Sequence, residues 1–131
     1  MKPSSYRSGL KNVRGLGAAH EGTHHFWLQR MTALALIPLT VWFIINIVTK
    51  LLGAERFQIA QWFESPITLL LMASFLVALF WHAKLGLQTI IEDYVHCECT
   101  KLTLLIGSSA IIYLLGAGSL LAIAHLHFFG I

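Results

Sequence analysis

A histidine and an acidic–aromatic pair on one predicted helix are the groups in this sequence best placed to do chemistry. His82 lies within an apolar segment, and Asp93 and Tyr94 follow it eleven and twelve residues later. Eleven residues make about three helical turns, so His82 and Asp93 would share one face, about 16 Å apart along the axis. An ionisable side chain inside a bilayer marks a functional site by default. Because histidine is a common haem ligand, this face predicts a redox site.

Both ends of that face also have a plainer explanation. His82 could be a buried histidine that hydrogen-bonds to a neighbouring helix, but Gly86, one turn later, would leave room for a flat macrocycle. The chain has no second histidine at matching depth, so a six-coordinate haem would need a ligand from another subunit. Asp93 and Tyr94 could be a solvated helix end. Alternatively, the phenol could donate to a quinone carbonyl while the carboxylate relays protons.

Arg30 stands at the start of the first apolar segment. A guanidinium can bind an anionic group, such as a haem propionate, through two parallel hydrogen bonds. The alternative is a membrane-surface anchor. Cys97 and Cys99 fall in a short connection that we expect to face a reducing compartment, which predicts free thiols rather than a disulfide.

The composition shows which elements must position these groups. The 131 residues are 56% hydrophobic and 11% charged, whereas soluble domains are typically about a quarter charged. Residues 31–49, 65–83 and 102–131 contain no Asp, Glu, Lys or Arg. Each run is long enough to cross a bilayer, which takes roughly 20 helical residues. The sequence therefore predicts an all-α membrane protein with a tail at 1–25 and a domain at 26–131, whose spans are at about 27–52, 66–94 and 102–129.

Two further features concern how these spans begin and pack. Ser65 and Pro66 predict the start of the second helix, with Ser65 as its cap. Gly118 and Ala122 form a small-xxx-small step that predicts close packing of the third helix. Little of the chain lies outside the spans, so any reaction on a water-soluble substrate must occur on a partner.

The placement of basic residues predicts the orientation in the membrane. No lysine or arginine follows Lys101, and the positive-inside rule then puts the N-terminus in the cytoplasm and, after three spans, the C-terminus on the opposite side. This topogenic role accounts for the basic tail, so no nucleic-acid partner is expected. Five basic residues precede the first charge-free run at residue 31: Lys2, Arg7, Lys11, Arg14 and Arg30.

The run His-Ala-Lys-Leu-Gly-Leu-Gln-Thr-Ile-Ile-Glu-Asp-Tyr at 82–94 resembles the second helix of a known family. This family is the hydrophobic membrane anchor of bacterial succinate dehydrogenase, the D-type cytochrome b556 subunit of respiratory complex II, which shows H-A-x-x-G followed by D-Y at this spacing. Residues 22–33 resemble the start of its first helix. The S-x-x-H-R-x-T-G pattern of the sibling C-type anchor is absent.

The resemblance implies roles for five residues. His82 would be one axial ligand of haem b, with the other histidine supplied by the C-type cytochrome b subunit. Tyr94 would hydrogen-bond a ubiquinone carbonyl and Asp93 would support that site. Arg30 and His24 would lie near the haem propionates.

The resemblance also implies partners and a location. The flavoprotein and iron–sulfur subunits would oxidise succinate, and this chain would have no active site for a soluble substrate. The complex would lie in a bacterial inner membrane rather than a mitochondrial one. Two alternatives are a fumarate reductase anchor and a non-redox membrane scaffold or transporter subunit, in which His82 merely packs.

Overall fold

The structure, a computed structural model, describes residues 19–130, and these form helices joined by short connections. Residues 1–18, which make up most of the predicted tail, lie outside the described residues. The first helix already includes residues 19–25. In chain order the elements are α1 (Ala19–Asn46), a π-helical turn (Ile47–Leu51), α2 (Arg56–Glu64), α3 (Pro66–Tyr94) and α4 (Glu98–Phe129).

Three of these helices are long and apolar enough to cross a membrane. They cover Thr23–Leu51, Pro66–Tyr94 and Glu98–Phe129, with mean hydropathies of 2.2, 1.9 and 1.9. Each exceeds the roughly 20 residues that span a hydrocarbon core. The prediction of an all-α protein with three spanning helices is therefore confirmed.

The helix α3 lies between the other two spans. It packs against both α1 and α4, whereas within the described residues α1 and α4 have at most slight contact with each other. On the α1 side, the rings of Phe43 and Phe75 stack with centroids 4.9 Å apart. Between 6% and 11% of the residues in the most apolar part of each span are buried. The three spans thus form an open row with wide surfaces left for lipid or other subunits.

The close approach of α4 to α3 occurs at Gly116 rather than at the predicted Gly118. A Cβ added at Gly116 would lie 3.4 Å from the ring of Phe80, whereas one added at Gly118 would meet nothing within 4 Å. Two residues correspond to about 200° of helical rotation, so these glycines face nearly opposite ways. The step from Gly118 to Ala122 therefore does not form the packing surface on α3.

The helix α3 begins at a proline, and at its other end a lysine donates a hydrogen bond to one of its carbonyl groups. Pro66 is its first residue and Ser65 occupies the N-cap position, both as predicted, although the Ser65 side chain makes no capping hydrogen bond. Proline has no N–H that needs a cap, which makes it suitable for this position. At the other end Lys101 Nζ donates to the carbonyl of Glu92 at 3.3 Å. This places a positive charge at the negative end of the helix dipole.

The connection between the first two spans contains the short helix α2. A capping box begins it, with the backbone N–H of Glu55 donating to Gln58 Oε1 at 3.0 Å. Trp62 Nε1 donates to Asn46 Oδ1 at 3.2 Å, and His127 Nδ1 donates to the carbonyl of Phe63 at 2.7 Å. These bonds tie α2 to the end of α1 and to the end of α4.

Candidate functional site

His82, the central residue of the predicted site, contacts a threonine on the neighbouring span. It lies on α3, about 24 Å along the axis from Pro66 and about 18 Å from Tyr94. Its side chain is half-buried, and its Nδ1 is 3.1 Å from the hydroxyl oxygen of Thr32 on α1. The contact joins residues fifty positions apart in the chain.

The hydrogen bonds of Thr32 within α1 favour one tautomer of His82. The Thr32 hydroxyl is 2.9 Å from the carbonyl of Leu28 and 3.0 Å from that of Gln29. A hydroxyl has one proton and two lone pairs, so when it donates to its own helix it can accept from the imidazole. The Nδ1–H of His82 then donates to Thr32, and Nε2 keeps its lone pair. A neutral imidazole held in this tautomer can bind a metal through Nε2.

Gly86 lies beside the same helix contact. A Cβ added there would approach only the side-chain amide nitrogen of Gln29, at an ordinary distance of 3.9 Å. The space over Gly86 is therefore bounded by α1, with the Gln29 side chain at its edge. In the described part of the chain, no cluster of three or more His, Cys, Asp or Glu side chains could hold a metal ion.

The structure does not bring Arg30 and His24 together with His82. Arg30 is exposed, and its guanidinium carbon lies 4.6 Å from the ring centroid of Phe26 on the same helix. It is two residues before Thr32, about 200° around α1 from the contact with His82. His24 is exposed as well. Both side chains are thus available to a group that lies outside this chain's own packing.

Asp93 and Tyr94 form the exposed end of α3. Tyr94 is the last residue of the helix and is 78% exposed, and Asp93 is also exposed. The helix closes with the N–H of Val95 donating to the carbonyl of Ile91 at 3.0 Å. Two polar side chains at the tip of a spanning helix can meet a ligand whose headgroup is near water and whose tail lies in lipid.

Just beyond this tip, Cys97 and Cys99 are free and exposed at the start of α4. Hydrogen bonds from the backbone and hydroxyl of Thr100, together with one from the backbone of Cys99, hold the pKa of the Cys97 thiol below its ordinary value. A lower pKa increases the fraction of thiolate at neutral pH, which is the reactive form. Cys97 is thus suited to site-specific labelling next to the exposed end of α3.

Thr32 is the residue of this site that the sequence reading did not assign. It belongs to the stretch with Arg30 and is the first polar residue after it. A polar residue so near the start of an apolar run was a usable signal. The partner of Thr32 depended on the register between α1 and α3, which no local pattern in either helix determines.

Together these features define a small membrane protein with a half-buried histidine on its central span and a polar end of that span exposed to other molecules. The family described as succinate dehydrogenase/fumarate reductase transmembrane subunit matches residues 4–124. The chain belongs to this family.

Individual relatives agree with that assignment. The hydrophobic membrane anchor subunit of succinate dehydrogenase from Paracoccus denitrificans is 36% identical over 89 residues, which are 68% of each chain. The same subunit from Rickettsia bellii is 30% identical over 103 residues, or 78% of this chain and 81% of the relative. A membrane anchor subunit from Reclinomonas americana is 31% identical over 86 residues, or 62% and 69%. No solved structure matches the chain.

The fold and the comparisons establish the general role. This is a membrane anchor subunit of succinate dehydrogenase, an oxidoreductase complex whose catalytic subunits are other chains. Its three apolar helices make it a multi-pass membrane protein, and its bacterial relatives indicate the bacterial inner membrane.

Proposed function

We propose that this anchor co-ligates haem b through His82 and contributes Tyr94 and Asp93 to the site where ubiquinone is reduced. The observation that carries the proposal is the 3.1 Å contact between His82 Nδ1 and the Thr32 hydroxyl. A histidine that only packs needs one hydrogen bond. Here that bond uses the nitrogen that leaves Nε2 free to be a ligand. Metal-binding histidines usually have such a bond on their second nitrogen.

The chemistry of His82 fits haem b, whose iron it would help to hold through Nε2. Haem b, when bound, supplies a one-electron carrier within the membrane. Thr32 would set the tautomer and ring orientation of His82 from α1, and a histidine of the C-type anchor would supply the other ligand. Arg30, exposed on α1, would provide a guanidinium for the propionates, and His24, exposed on the same helix, would provide a ring N–H, where that subunit meets this one.

The tip of α3 provides the groups that ubiquinone needs. The Tyr94 hydroxyl donates a hydrogen bond to a quinone carbonyl, and this bond strengthens as negative charge develops on that oxygen. Asp93, next to it and exposed, carries protons from water to the reduced headgroup. Electrons reach the same end of the helix from the iron–sulfur subunit, which receives them from the flavoprotein subunit.

Replacing Thr32 with valine tests the observation that carries the proposal. Valine keeps the branched shape and removes the oxygen that accepts from His82. Loss of a hydrogen bond behind a metal-binding histidine typically reduces metal affinity about 10–100-fold. We expect the purified complex to transfer haem to an excess of apomyoglobin at least tenfold faster, with a shifted haem midpoint potential.

Thr103→Val is the matched control. The Thr103 hydroxyl donates to the carbonyl of Cys99 at 2.9 Å, the same four-residue step that Thr32 uses, but on α4 and away from His82. Its variant should keep normal haem retention and potential. Equal behaviour of the two variants would contradict the proposal that Thr32 orients a haem ligand.

The orientation of the chain in the membrane is the remaining part of the proposal. The basic residues before the first span support a cytoplasmic N-terminus, and three spans then put residue 131 on the outer side. Alkaline phosphatase fused after residue 131 should be active, and green fluorescent protein at the same position should stay dark. The reverse pattern would place the Tyr94 end on the wrong side for the catalytic subunits.

A further inference from the structure

A groove on the side of α3 that faces away from Thr32 has a charged end and an apolar body. It lies between α3 and α4 and encloses about 280 Å³. Lys84 and Tyr113 form its polar end, and we call it the Lys84 groove. The apolar body includes Trp81, Val77, Ala117 and Leu120. Lys84 is two residues after His82, about 200° around α3, so the groove is on a different face from the contact with Thr32.

The polar end has donors and a positive charge to offer. Lys84 Nζ donates to the Tyr113 hydroxyl at 2.5 Å and lies 4.8 Å from the centroid of that ring. The same nitrogen is 5.8 Å from the centroid of Trp81. One of three ammonium protons is used, and Tyr113 keeps its own hydroxyl proton. Two N–H groups and one O–H group therefore remain for an oxygen-rich anion.

The Lys84 groove lies at the depth in the membrane where the headgroup of a lipid meets its acyl chains. Lys84 is eighteen residues after Pro66, about 27 Å along the axis, so in a core about 30 Å thick it lies near the boundary on the Tyr94 side. From there the lining residues continue towards the middle of the membrane. On α3 they reach Leu76, about 12 Å from Lys84 along the helix axis, and on α4 they reach Leu120, about 10 Å from Tyr113. The polarity therefore changes from headgroup-like to hydrocarbon-like along its length.

We propose that the Lys84 groove binds an acidic phospholipid of the membrane leaflet on the Tyr94 side. Its phosphate contacts Lys84 and Tyr113, and one acyl chain lies along the apolar body. Charge complementarity selects this occupant. A neutral quinone headgroup would leave the ammonium without a counter-charge, and so would an apolar helix of a partner subunit. This inference concerns lipid binding and does not rest on the haem or quinone proposals.

Photocrosslinking in the whole complex identifies the occupant directly. Benzoylphenylalanine is introduced at Val77, and the assembled enzyme is placed in nanodiscs with equal amounts of phosphatidylglycerol and phosphatidylcholine. Mass spectrometry of this chain then shows what has been captured. We expect phosphatidylglycerol adducts to exceed phosphatidylcholine adducts about fivefold, since one lysine near the surface favours an anionic lipid by about that factor.

Three substitutions in the crosslinking background separate headgroup, tail and general charge. Lys84→Gln should remove the preference for phosphatidylglycerol. Ala117→Phe should fill the apolar body and reduce both lipid adducts several-fold. Lys101→Gln removes a lysine near the same membrane surface but outside the groove, and it should leave the preference unchanged.

Each other outcome overturns the proposal. Adducts to another subunit would show that a partner helix fills the groove, and adducts to quinone would show a second quinone site. Equal lipid adducts in the parent and in Lys84→Gln would show that the charge does not select the ligand. The absence of any adduct would show that the groove holds no bound lipid.

Discussion

The b-type haem spectrum of the complex is expected to disappear or shift markedly when His82 is replaced by alanine. Alanine removes the imidazole that the proposal assigns to the haem iron, and Thr32 cannot replace it because its hydroxyl is engaged with α1. The haem would lose the ligand that this chain supplies. Reduced-minus-oxidised spectra and a redox titration of the purified complex measure the effect.

His125→Ala provides a control for general loss of a membrane histidine. His125 is exposed near the end of α4, where its ring lies 5.1 Å from that of Phe129. This variant should keep the parent spectrum and potential. If His82→Ala also kept both, His82 would be a packing residue, and the proposal that this chain ligates haem would be wrong.

The second large effect is expected at the tip of α3. Tyr94→Phe keeps the ring and removes the hydroxyl, so quinone reduction should slow at least several-fold. One neutral hydrogen bond contributes about 0.5–1.5 kcal/mol net, and more when it forms to a developing charge. Succinate oxidation with a soluble artificial acceptor should stay near normal, because that activity belongs to other subunits.

Asp93→Asn tests the proposed proton path at the same site. The neighbouring residue, Glu92, provides a control variant. Glu92 is also exposed at the end of α3, but it accepts a hydrogen bond from Gln88 Nε2 at 2.8 Å. Asp93→Asn should slow quinone reduction, whereas Glu92→Gln should have little effect. Normal quinone reduction in both Tyr94→Phe and Asp93→Asn would show that the quinone site lies elsewhere.

The parts of this architecture that follow from composition could be predicted from the sequence. Long runs without charged residues define the three spans, because an unpaired charge or an unsatisfied backbone group is not tolerated in hydrocarbon. The positions of His82, Asp93 and Tyr94 along α3 follow from helical rise alone, which is the same in any context. These features need no knowledge of how one helix rotates against another.

Features that depend on the rotation and register of two helices could not be predicted in this way. The contact of Thr32 with His82 and the choice of Gly116 over Gly118 both depend on which faces meet. The pairing of Lys84 with Tyr113 joins residues on different spans for the same reason. In a membrane nearly every face of a spanning helix is apolar, so hydrophobic periodicity does not identify the packed face.

The open row of α1, α3 and α4 explains how subunits with one role can drift far apart in sequence. Most positions on these spans need only an apolar side chain, since no neighbour in the same chain constrains its shape. Anchor subunits named for the same enzyme are accordingly only 26–36% identical to this chain. In a saturation mutagenesis of the assembled complex, the positions that tolerate the fewest substitutions should be those whose side chains contact another helix of this chain, such as Thr32 with His82.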